Sequence, residues 1–385
     1  MKITKLETLC FSRMHEPERQ WLTARYRTVK ADCAIVVIHT DEGLTGIGEA
    51  SAYGWPLMIR DWVDWLSPEL VGKDPTDPGD VPHPNGTSRP HDAAVAGIDC
   101  ALWDLRGKIA GKRVADMLRP GAPDRVRLYA SSGCRYDWRE TGSQGPQQLI
   151  NEALDYIAQG FTAMKFRIGT EWAWDGVTVD RFLGLVRELV QEVDGRMELM
   201  LDGNCRLTEA QSLTVAKELD RLGFTWFEEP MDRKDIAANA RLCAAVQMPI
   251  TGGEAFTTLE QFRPYFDAKA IEIAQPDAAL CGITEAMRIG EAAWRYGLDT
   301  CPHSWHNGLM AMEHAHYVAA LPNPRVLEVC QIQGPLQWAI LKEKPVIEDG
   351  YLILPDKPGL GVALAEDLEA RFPYIEGMYA VQVTR

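Results

Sequence analysis

The sequence lacks the features that mark several large classes of protein. Its nine cysteines include no C-x-x-C pair, so neither a zinc ribbon nor a disulfide framework is indicated. No stretch of about 18 uninterrupted apolar residues is present, which leaves no candidate for a membrane-spanning helix. The opening MKITKLETLCF continues as a charged, strand-like segment and has no signal-peptide core. We therefore expect reduced thiols, a cytoplasmic location and no membrane as a partner.

Basic residues are also fewer than acidic ones. Forty lysines and arginines stand against 55 acids, for a net charge of −15, and this balance argues against nucleic acid as a partner. A small anionic substrate remains compatible, because a few cations or a metal in a cleft reverse the potential locally. At 385 residues, with 46% apolar and 25% charged content, the chain suits a large barrel with an additional domain.

The first third of the chain predicts strands followed by helices. The strand-like segments within residues 1–50 are KITKLETLCF, CAIVVIHT and GLTGIGEA, the last two joined by a turn at Asp41-Glu42-Gly43. From Pro56 the pattern becomes helical, and its clearest stretch, AAVAGIDCALWDLRGKIAG, stops at Gly111. Residues 73–90 are rich in Pro, Gly and Asp and predict a loop.

A strand–helix alternation begins near Val126. Eight short apolar runs are separated by amphipathic segments: VRLYASSG, TAMKFRIG, MELMLDGN, FTWFEEP, MPITGGE, AIEIAQPD, LDTCPHS and RVLEVC. This number of repeats predicts a parallel α/β barrel of the TIM type. A doubly wound open sheet is the competing architecture, but no glycine-rich phosphate turn follows the first run.

These patterns predict three parts of the chain. Residues 1–125 are expected to form an α+β capping domain, and residues 126–340 the (β/α) barrel. Residues 341–385 contain a further strand-like segment, GYLILP, and are expected to return to the capping domain.

Three of the eight runs end in an acid. Asp202, Glu228 and Glu254 follow one another at intervals of 26 residues, one strand–helix unit each. Acids at the carboxyl ends of successive barrel strands face one mouth and repel one another unless a cation is present. Oxygen ligands without His or Cys select a hard ion, so the pattern predicts a Mg²⁺ site. The alternative is that each acid merely caps the following helix, and the shared spacing argues against it.

Two cations alternate along the second barrel strand, MKFRIG. Lys165 and Arg167 point to the same side, and cations inside a barrel require anions. They either pair with the acids of the mouth or receive a substrate carboxylate. Arg167 suits a carboxylate clamp and is a poor general base. Lys165, desolvated beside Arg167, is expected to have a lowered pKa.

The sixth and seventh runs end in Asp277 and His303. A carboxylate that holds one imidazole nitrogen leaves the other as a base near neutral pH. A lone histidine at a strand end is usually a hydrogen-bonded loop residue, but the preceding aspartate favours a catalytic dyad. Glu328 ends the eighth run; it either pairs with a neighbouring cation or donates a hydrogen bond to a substrate carboxylate.

Taken together, these motifs resemble the enolase superfamily, in the branch typified by mandelate racemase and acid-sugar dehydratases. The resemblance covers essentially the whole chain and rests on GIDCALWDLRGKIAG followed in order by K-x-R, LDGN, WFEEP, GGE, QPD and PHS. It implies Asp202, Glu228 and Glu254 as Mg²⁺ ligands, with Glu228 rather than Glu229 at the ligand position of E-E-P. It also implies an enediolate stabilised by the metal.

The resemblance further implies roles for other residues. The catalytic set would be Lys165, Asp277, His303 and Glu328, and the substrate-binding set Arg167 and Asn204. In the family, specificity lies on N-terminal loops. The corresponding residues here, 13–30 and 51–58, carry Arg25, Arg27, Tyr53 and Trp55. Symmetric homo-oligomers are common in the family and are expected here.

Arg167 is the informative departure from the family pattern. Racemases of the family commonly carry K-x-K, with the second lysine as a base opposite the histidine. Deprotonating a guanidinium about six units below its pKa costs roughly 8 kcal/mol, so a second base is missing. This favours Mg²⁺-dependent dehydration of a 2,3-dihydroxy acid sugar to a 2-keto-3-deoxy acid, in carbohydrate catabolism. Because Lys165 remains, a racemase, an epimerase or a lactone cycloisomerase stays open.

Two other classes of protein are less compatible with the sequence. A zinc or dinuclear hydrolase would need a His-x-His pair on the first barrel strand, whereas His314-Ala315-His316 lies in a helical segment where such residues diverge. A non-catalytic barrel would be expected to lose the charged groups of the mouth, which are all present here.

Overall fold

The computed structural model describes residues 1–79, 81–140, 145–332 and 334–383. Within these ranges the strands are β1 (Ile3–Met14), β2 (Trp21–Thr23), β3 (Tyr26–Thr28), β4 (Lys30–Thr40), β5 (Thr45–Ala50), β6 (Arg125–Ser131), β7 (Ala163–Arg167), β8 (Glu198–Asp202), β9 (Trp226–Glu228), β10 (Ile250–Gly252), β11 (Ile273–Ala274), β12 (Asp299–Thr300), β13 (Leu327–Cys330), β14 (Ile347–Glu348), β15 (Tyr351–Ile353) and β16 (Ala380–Gln382).

The helices alternate with these strands. They are α1 (Pro56–Leu66), α2 (Arg89–Ala110), α3 (Val114–Leu118), α4 (Gln147–Ala158), α5 (Trp172–Asp175), α6 (Val179–Val193), α7 (Glu209–Arg221), α8 (Ile236–Cys243), α9 (Leu259–Asp267), α10 (Ala278–Arg295), α11 (Gly308–Ala320), α12 (Leu336–Ala339) and α13 (Leu368–Arg371). No helix in the described ranges is long and apolar enough to cross a membrane.

Strands β6 to β13 form a parallel barrel. Neighbours pair in sequence order from β6 to β12, and β13 returns to pair with β6. Backbone bonds of Thr300 with Asn323 and Arg325 close the ring between β12 and β13. The eight runs predicted as strands all form the barrel, which confirms the TIM-type prediction. The strands are short and buried on both faces, as expected of a parallel sheet covered by helices.

The N-terminal region forms a three-stranded antiparallel sheet, β1-β4-β5, packed against α1 and α2. Strand β4 is apolar on both faces because alternate residues pack into two different hydrophobic cores. Ala34, Val36 and Ile38 pack against the helices, whereas Cys33, Ile35 and Val37 belong to the core shared with the barrel. The β4–β5 turn has Gly43 at φ 82°, and α2 ends at Gly111 with φ 64°, where left-handed backbone favours glycine.

The C-terminal segment divides its contacts between the two parts of the fold. The predicted GYLILP strand, β15, pairs antiparallel with β6 of the barrel and not with the N-terminal region. The later strand β16 is the one that reaches that region, where it completes a second small sheet with β3 and β2. Residues 13–30, expected as a loop, thus contain two strands. Strands of three residues are too short to show a period of two in the sequence.

Two carboxylates of the N-terminal region cap helices of the barrel. Helix α10 is interrupted at Gly282 (φ 81°), and its second part starts where Asp99 accepts bonds from the nitrogen (2.9 Å) and hydroxyl (2.6 Å) of Thr284. Helix α11 starts where Glu49 accepts bonds from the backbone nitrogens of Asn307 (3.1 Å) and Met310 (2.9 Å). Acceptors at these positions satisfy N–H groups that have no partner within the helix.

Replacing Asp99 by alanine is expected to lower the free energy of unfolding by about 1–2 kcal/mol, the usual cost of losing an N-terminal cap. Asp99→Asn keeps an oxygen acceptor and should retain most of the stability. Urea denaturation followed by circular dichroism measures both variants. An alanine variant as stable as the parent would show that the cap contributes nothing.

Candidate active site

The two cations of β7 enter the barrel and both meet carboxylates. Lys165 Nζ lies 2.7 Å from Glu228 Oε1 and 3.1 Å from Glu328 Oε1. Arg167 Nε lies 3.2 Å from Asp202 Oδ2. Both cations are almost completely buried, so these ion pairs offset a large loss of hydration.

The expected lowering of the Lys165 pKa is wrong for this arrangement. Burial alone would lower the pKa of the ammonium, but the charges of Glu228, Glu328 and Asp202 outweigh it and raise the pKa above the ordinary value. The sequence placed Arg167 next to Lys165 along the strand. It did not reveal that two carboxylates from β9 and β13 approach the ammonium more closely. Lys165 is therefore held as a cation.

The two glutamates of the E-E-P motif point in opposite directions. Glu228 faces Lys165 and accepts a bond from Gln275 Nε2 at 2.7 Å. Glu229, with the left-handed φ of 35°, turns away and contacts Gly253 N at 3.2 Å and Arg233 at 2.5 Å. Only Glu228 shares its surroundings with the cations of β7.

Asp277 and His303 are brought together as the sequence predicts. His303 Nδ1 lies 2.8 Å from Asp277 Oδ2, and His303 Nε2 lies 3.5 Å from Glu254 Oε2. Although burial lowers it, Glu254 and Asp277 raise the pKa of His303 to about 9. The Asp277 bond fixes the imidazole orientation and leaves Nε2 directed into the mouth, on the Glu254 side.

Glu328 lies in the same mouth, and the carboxylate oxygen that does not face Lys165 bonds to the backbone after β12. Its Oε2 accepts the backbone N–H of Ser304 at 2.6 Å. Burial raises the pKa of Glu328, but the charges of Lys165 and His303 bring it down to about 2. An ionised Glu328 cannot donate a hydrogen bond, so the structure favours the alternative in which it pairs with Lys165.

Asn204 connects Asp202 to the small sheet above it. Its backbone nitrogen donates to Asp202 Oδ1 at 2.7 Å, and its side-chain oxygen accepts from Thr23 Oγ1 at 3.3 Å. Its φ of 48° is left-handed, a conformation that asparagine tolerates. Arg25, one of the loop arginines, pairs with Glu171 at 2.7 Å and is half exposed, so it is turned toward the surface.

The donors at Asp202, Glu228 and Glu254 suit a hard cation by their chemistry. Asp202 Oδ2 and Glu254 Oε2 are buried and have no hydrogen-bond partner within the described ranges. Burial raises the pKa of Glu228 to about 8, and the charges of Asp202, Glu328 and Glu254 add to this rise, although Lys165 opposes it. A divalent cation relieves crowded carboxylates whose oxygens lack hydrogen bonds.

In the structure, the carboxylates of Asp202, Glu228 and Glu254 pair with cationic side chains of the protein. Within the described ranges, no three Asp, Glu, His or Cys side chains are arranged to hold an ion. Asp202 pairs with Arg167, Glu228 with Lys165, and Glu254 with His303. The donor chemistry fits Mg²⁺, and binding would require these ion pairs to rearrange.

The structure adds three residues to the site that the sequence had not singled out. Gln275 orients Glu228, and its own oxygen accepts from Thr251 at 2.8 Å. Gln275 precedes Asp277 by two residues. Residues two apart on a strand point to the same side, as with Lys165 and Arg167, so the sequence could have predicted that Gln275 faces the mouth. Trp21 and Trp305 contact each other edge to face, and the Arg167 guanidinium lies beside this pair, 5.3 and 4.2 Å from the two ring centres. No sequence pattern joins these two tryptophans.

The pair His314 and His316 does not form a metal site. His314 accepts from Ala278 N at 2.9 Å and contacts Met310 O at the same distance. His316 bonds instead to Ala115 N and Leu360 O. The two rings diverge from the helix as the sequence predicts, and each is occupied by backbone groups.

Comparison with known proteins agrees with this geometry. Residues 148–368 match the family described as enolase C-terminal domain-like, and residues 8–119 match the mandelate racemase / muconate lactonizing enzyme N-terminal domain. D-galactarolactone cycloisomerase of Agrobacterium fabrum is 28% identical over 97% of this chain and 99% of its own. Arabinonate dehydratase of Saccharolobus solfataricus is 28% identical over 86% and 87%.

A solved structure shows the same fold. A member of the enolase superfamily from a Polaromonas species superposes with a TM-score of 0.83 at 29% identity, covering 98% of this chain and 99% of that one. The predicted resemblance, the barrel with its cap and the expectation of an enzyme are thus confirmed. The chain belongs to the enolase superfamily, in its mandelate racemase branch.

Proposed function

We propose that the protein is a Mg²⁺-dependent hydro-lyase that converts a 2,3-dihydroxy acid sugar into a 2-keto-3-deoxy acid. One observation carries this proposal. His303 has an imidazole whose Nδ1 is held by Asp277 and whose Nε2 faces Glu254, whereas Arg167, which stands where a second lysine would act as the opposite base, keeps its proton at any working pH. One base on one face suffices for dehydration, and stereoinversion needs a base on each face.

Each residue then has a role set by its position. Arg167, which packs on Trp305 and Trp21, binds the substrate carboxylate as a permanent charge. His303 Nε2 takes the proton from the α-carbon, and the Asp277 carboxylate stabilises the resulting imidazolium.

The same histidine completes the elimination. The electron pair of the broken C–H bond forms the carbon–carbon double bond while the 3-hydroxyl leaves, and His303 returns its proton so that water departs. The enol product tautomerises to the keto acid. Mg²⁺ bound by Asp202, Glu228 and Glu254 would supply Lewis-acid stabilisation of negative charge on the substrate oxygens.

Relatives support this class of chemistry and also name the second candidate. The arabinonate dehydratase favours dehydration, and the D-galactarolactone cycloisomerase favours isomerisation. A structure of 3,6-anhydro-D-galactonate cycloisomerase from Zobellia galactanivorans, 26% identical with a TM-score of 0.81, also favours the second. Dehydration removes one water from the substrate, whereas isomerisation leaves its mass unchanged.

The experiment is incubation of a panel of acid sugars and their lactones with Mg²⁺ in deuterium oxide. Semicarbazide detects a keto acid, mass spectrometry detects loss of water, and NMR detects exchange or inversion at the α-carbon. We expect a keto acid with loss of one water. An isomer of unchanged mass as the product of the best substrate would replace dehydration by the second candidate.

Arg167→Lys keeps the charge but loses the planar group that packs on the two tryptophans. A bidentate carboxylate contact becomes a single one, and KM is expected to rise roughly thirtyfold, equivalent to about 2 kcal/mol. Steady-state kinetics measure the change. Arg187→Lys, at a half-exposed surface ion pair, is the matched control and should leave KM unchanged. An Arg167→Lys enzyme with the parent KM would remove Arg167 from carboxylate binding.

A further inference from the structure

The last described part of the chain, residues 374–383, forms a strap beyond the residues that match the family, which end at 368. Its strand β16 pairs with β3. Further backbone bonds join Val29 N to Tyr379 O (3.1 Å) and Val383 N to Arg25 O (2.8 Å). The strap is therefore a structural member of the small β2-β3-β16 sheet.

This sheet lies on the mouth of the barrel. Leu22 N donates to Cys134 O, just after β6, at 2.9 Å, and Glu171 N, after β7, donates to Ala24 O at 3.1 Å. Thr23 contacts Asn204, just after β8. The sheet thus rests on the carboxyl ends of three successive strands, the end of the barrel that carries the charged groups.

A buried lysine fastens the strap. Lys30 is 1% exposed, and its Nζ donates to the carbonyl oxygens of Ile375 (2.8 Å) and Gly377 (3.0 Å). It lies 3.2 Å from Asp32 Oδ1 and 5.2 Å from the centre of the Tyr374 ring. An ammonium removed from water is stable only with such partners. The strap supplies two of them, so strap and lysine hold each other in place.

Tyr379 is the strap residue that turns inward. Its ring lies 6.1 Å from that of Tyr53, edge to face, and packs against the apolar cluster that contains Trp21 and Trp305. The preceding residue, Met378, is 75% exposed. Burial raises the pKa of Tyr379, and the Thr28 side chain at its hydroxyl and the charge of Arg167 offset part of this rise. Tyr379 therefore packs on the same apolar cluster as the two tryptophans that contact Arg167.

We propose that Tyr379 is a specificity-determining residue, which the C-terminal strap supplies to the wall of the substrate pocket. This inference rests on the proposed function and deepens it. With the carboxylate held by Arg167, the carbon chain of an acid sugar lies along the neighbouring aromatic rings. Aromatic rings pack well on C–H groups, and the Tyr379 hydroxyl, next to the buried Thr28, helps to fix the position of the ring. Tyr379 then selects among polyhydroxy carboxylates by the configuration and length of the chain.

The test compares Tyr379→Ala, Tyr379→Phe and the control Met378→Ala over a panel of acid sugars that differ in hydroxyl configuration and chain length. Tyr379→Ala is expected to raise KM for the preferred substrate about tenfold and to narrow the range of kcat/KM across the panel. Its kcat should change far less, because Tyr379 takes no part in proton transfer. Tyr379→Phe should keep the packing of the ring and most of the discrimination among substrates. Met378→Ala should match the parent.

Lys30→Met tests the same inference through the fastening of the strap. Hydrogen exchange is expected to accelerate at the amides of β16 and β3, and substrate selectivity is expected to change as in Tyr379→Ala. Lys5→Met, at a side chain that is 61% exposed, is the control. If hydrogen exchange shows that the strap is released but substrate selectivity is unchanged, the inference is overturned. This result decides the question even if Tyr379→Ala does not fold.

The outcomes separate the two proposals. A parent enzyme that turns over no acid sugar overturns the proposed function, and the inference falls with it. A parent enzyme that dehydrates an acid sugar, with the same kcat/KM ratios in Tyr379→Ala, overturns the inference and leaves the function intact.

Discussion

Glu228→Gln is expected to lower the turnover number by about a thousandfold or more while Glu229→Gln lowers it far less. The two adjacent glutamates undergo the same chemical change, but Glu228 contacts Lys165 of β7 whereas Glu229 contacts Arg233. Loss of one ligand removes much of the stabilisation of negative charge that the metal provides, worth several kcal/mol. Each 1.4 kcal/mol corresponds to about a tenfold change in rate.

Metal binding by the same two variants is a second measurement beside the turnover number. Titration with Mn²⁺ should show one site in the parent and in Glu229→Gln, and weak or no binding in Glu228→Gln. Chelator treatment should remove the activity of the parent, and Mg²⁺ should restore it. Full activity after chelation would contradict the assignment of Asp202, Glu228 and Glu254 as ligands.

His303→Asn is expected to reduce turnover by about 10²- to 10⁴-fold, the usual contribution of a positioned acid–base group. Asp277→Asn should cause a smaller loss, because it keeps a contact to Nδ1 but withdraws the charge that stabilises the imidazolium. The matched control is His306→Asn. His306 lies three residues further on, and its Nε2 is engaged by Ser51 Oγ at 2.9 Å.

Exchange of the α-proton with deuterium oxide distinguishes the base from other roles. Exchange should disappear in His303→Asn together with keto acid formation. Exchange that continues without keto acid would assign proton abstraction to Lys165 and favour the racemase or epimerase alternative. In that case the ion pairs of Lys165 with Glu228 and Glu328 must open when substrate and metal bind.

The barrel and the ends of its strands could be predicted because the strands are short apolar runs and most of them carry a charged or polar residue near the carboxyl end. Contacts across the barrel could not. Glu228 and Glu328 lie 63 and 163 residues from Lys165 along the chain, and no local pattern pairs them with it. This is why the predicted direction of the Lys165 pKa was wrong. Residue roles at Asp202, Glu254 and Asn204 remain predictions.

The small sheet over the mouth was missed for a different reason. Strands β2, β3 and β16 have three residues each, and short strands gain their stability from tertiary contacts rather than from their own sequence. The buried Lys30 that fastens the strap follows the same rule, since an isolated lysine in a sequence normally predicts exposure.

The capping carboxylates Asp99 and Glu49 have a consequence for engineering. They come from the N-terminal region but cap the second part of α10, after Gly282, and the start of α11, the helices that follow Asp277 and His303. The isolated barrel would leave both helix starts without these acceptors, so the chain is expected to melt in a single calorimetric transition. Grafting a foreign N-terminal domain to change substrate preference therefore requires acids at these two positions in the graft; without them the dyad would be displaced even if every barrel residue were retained.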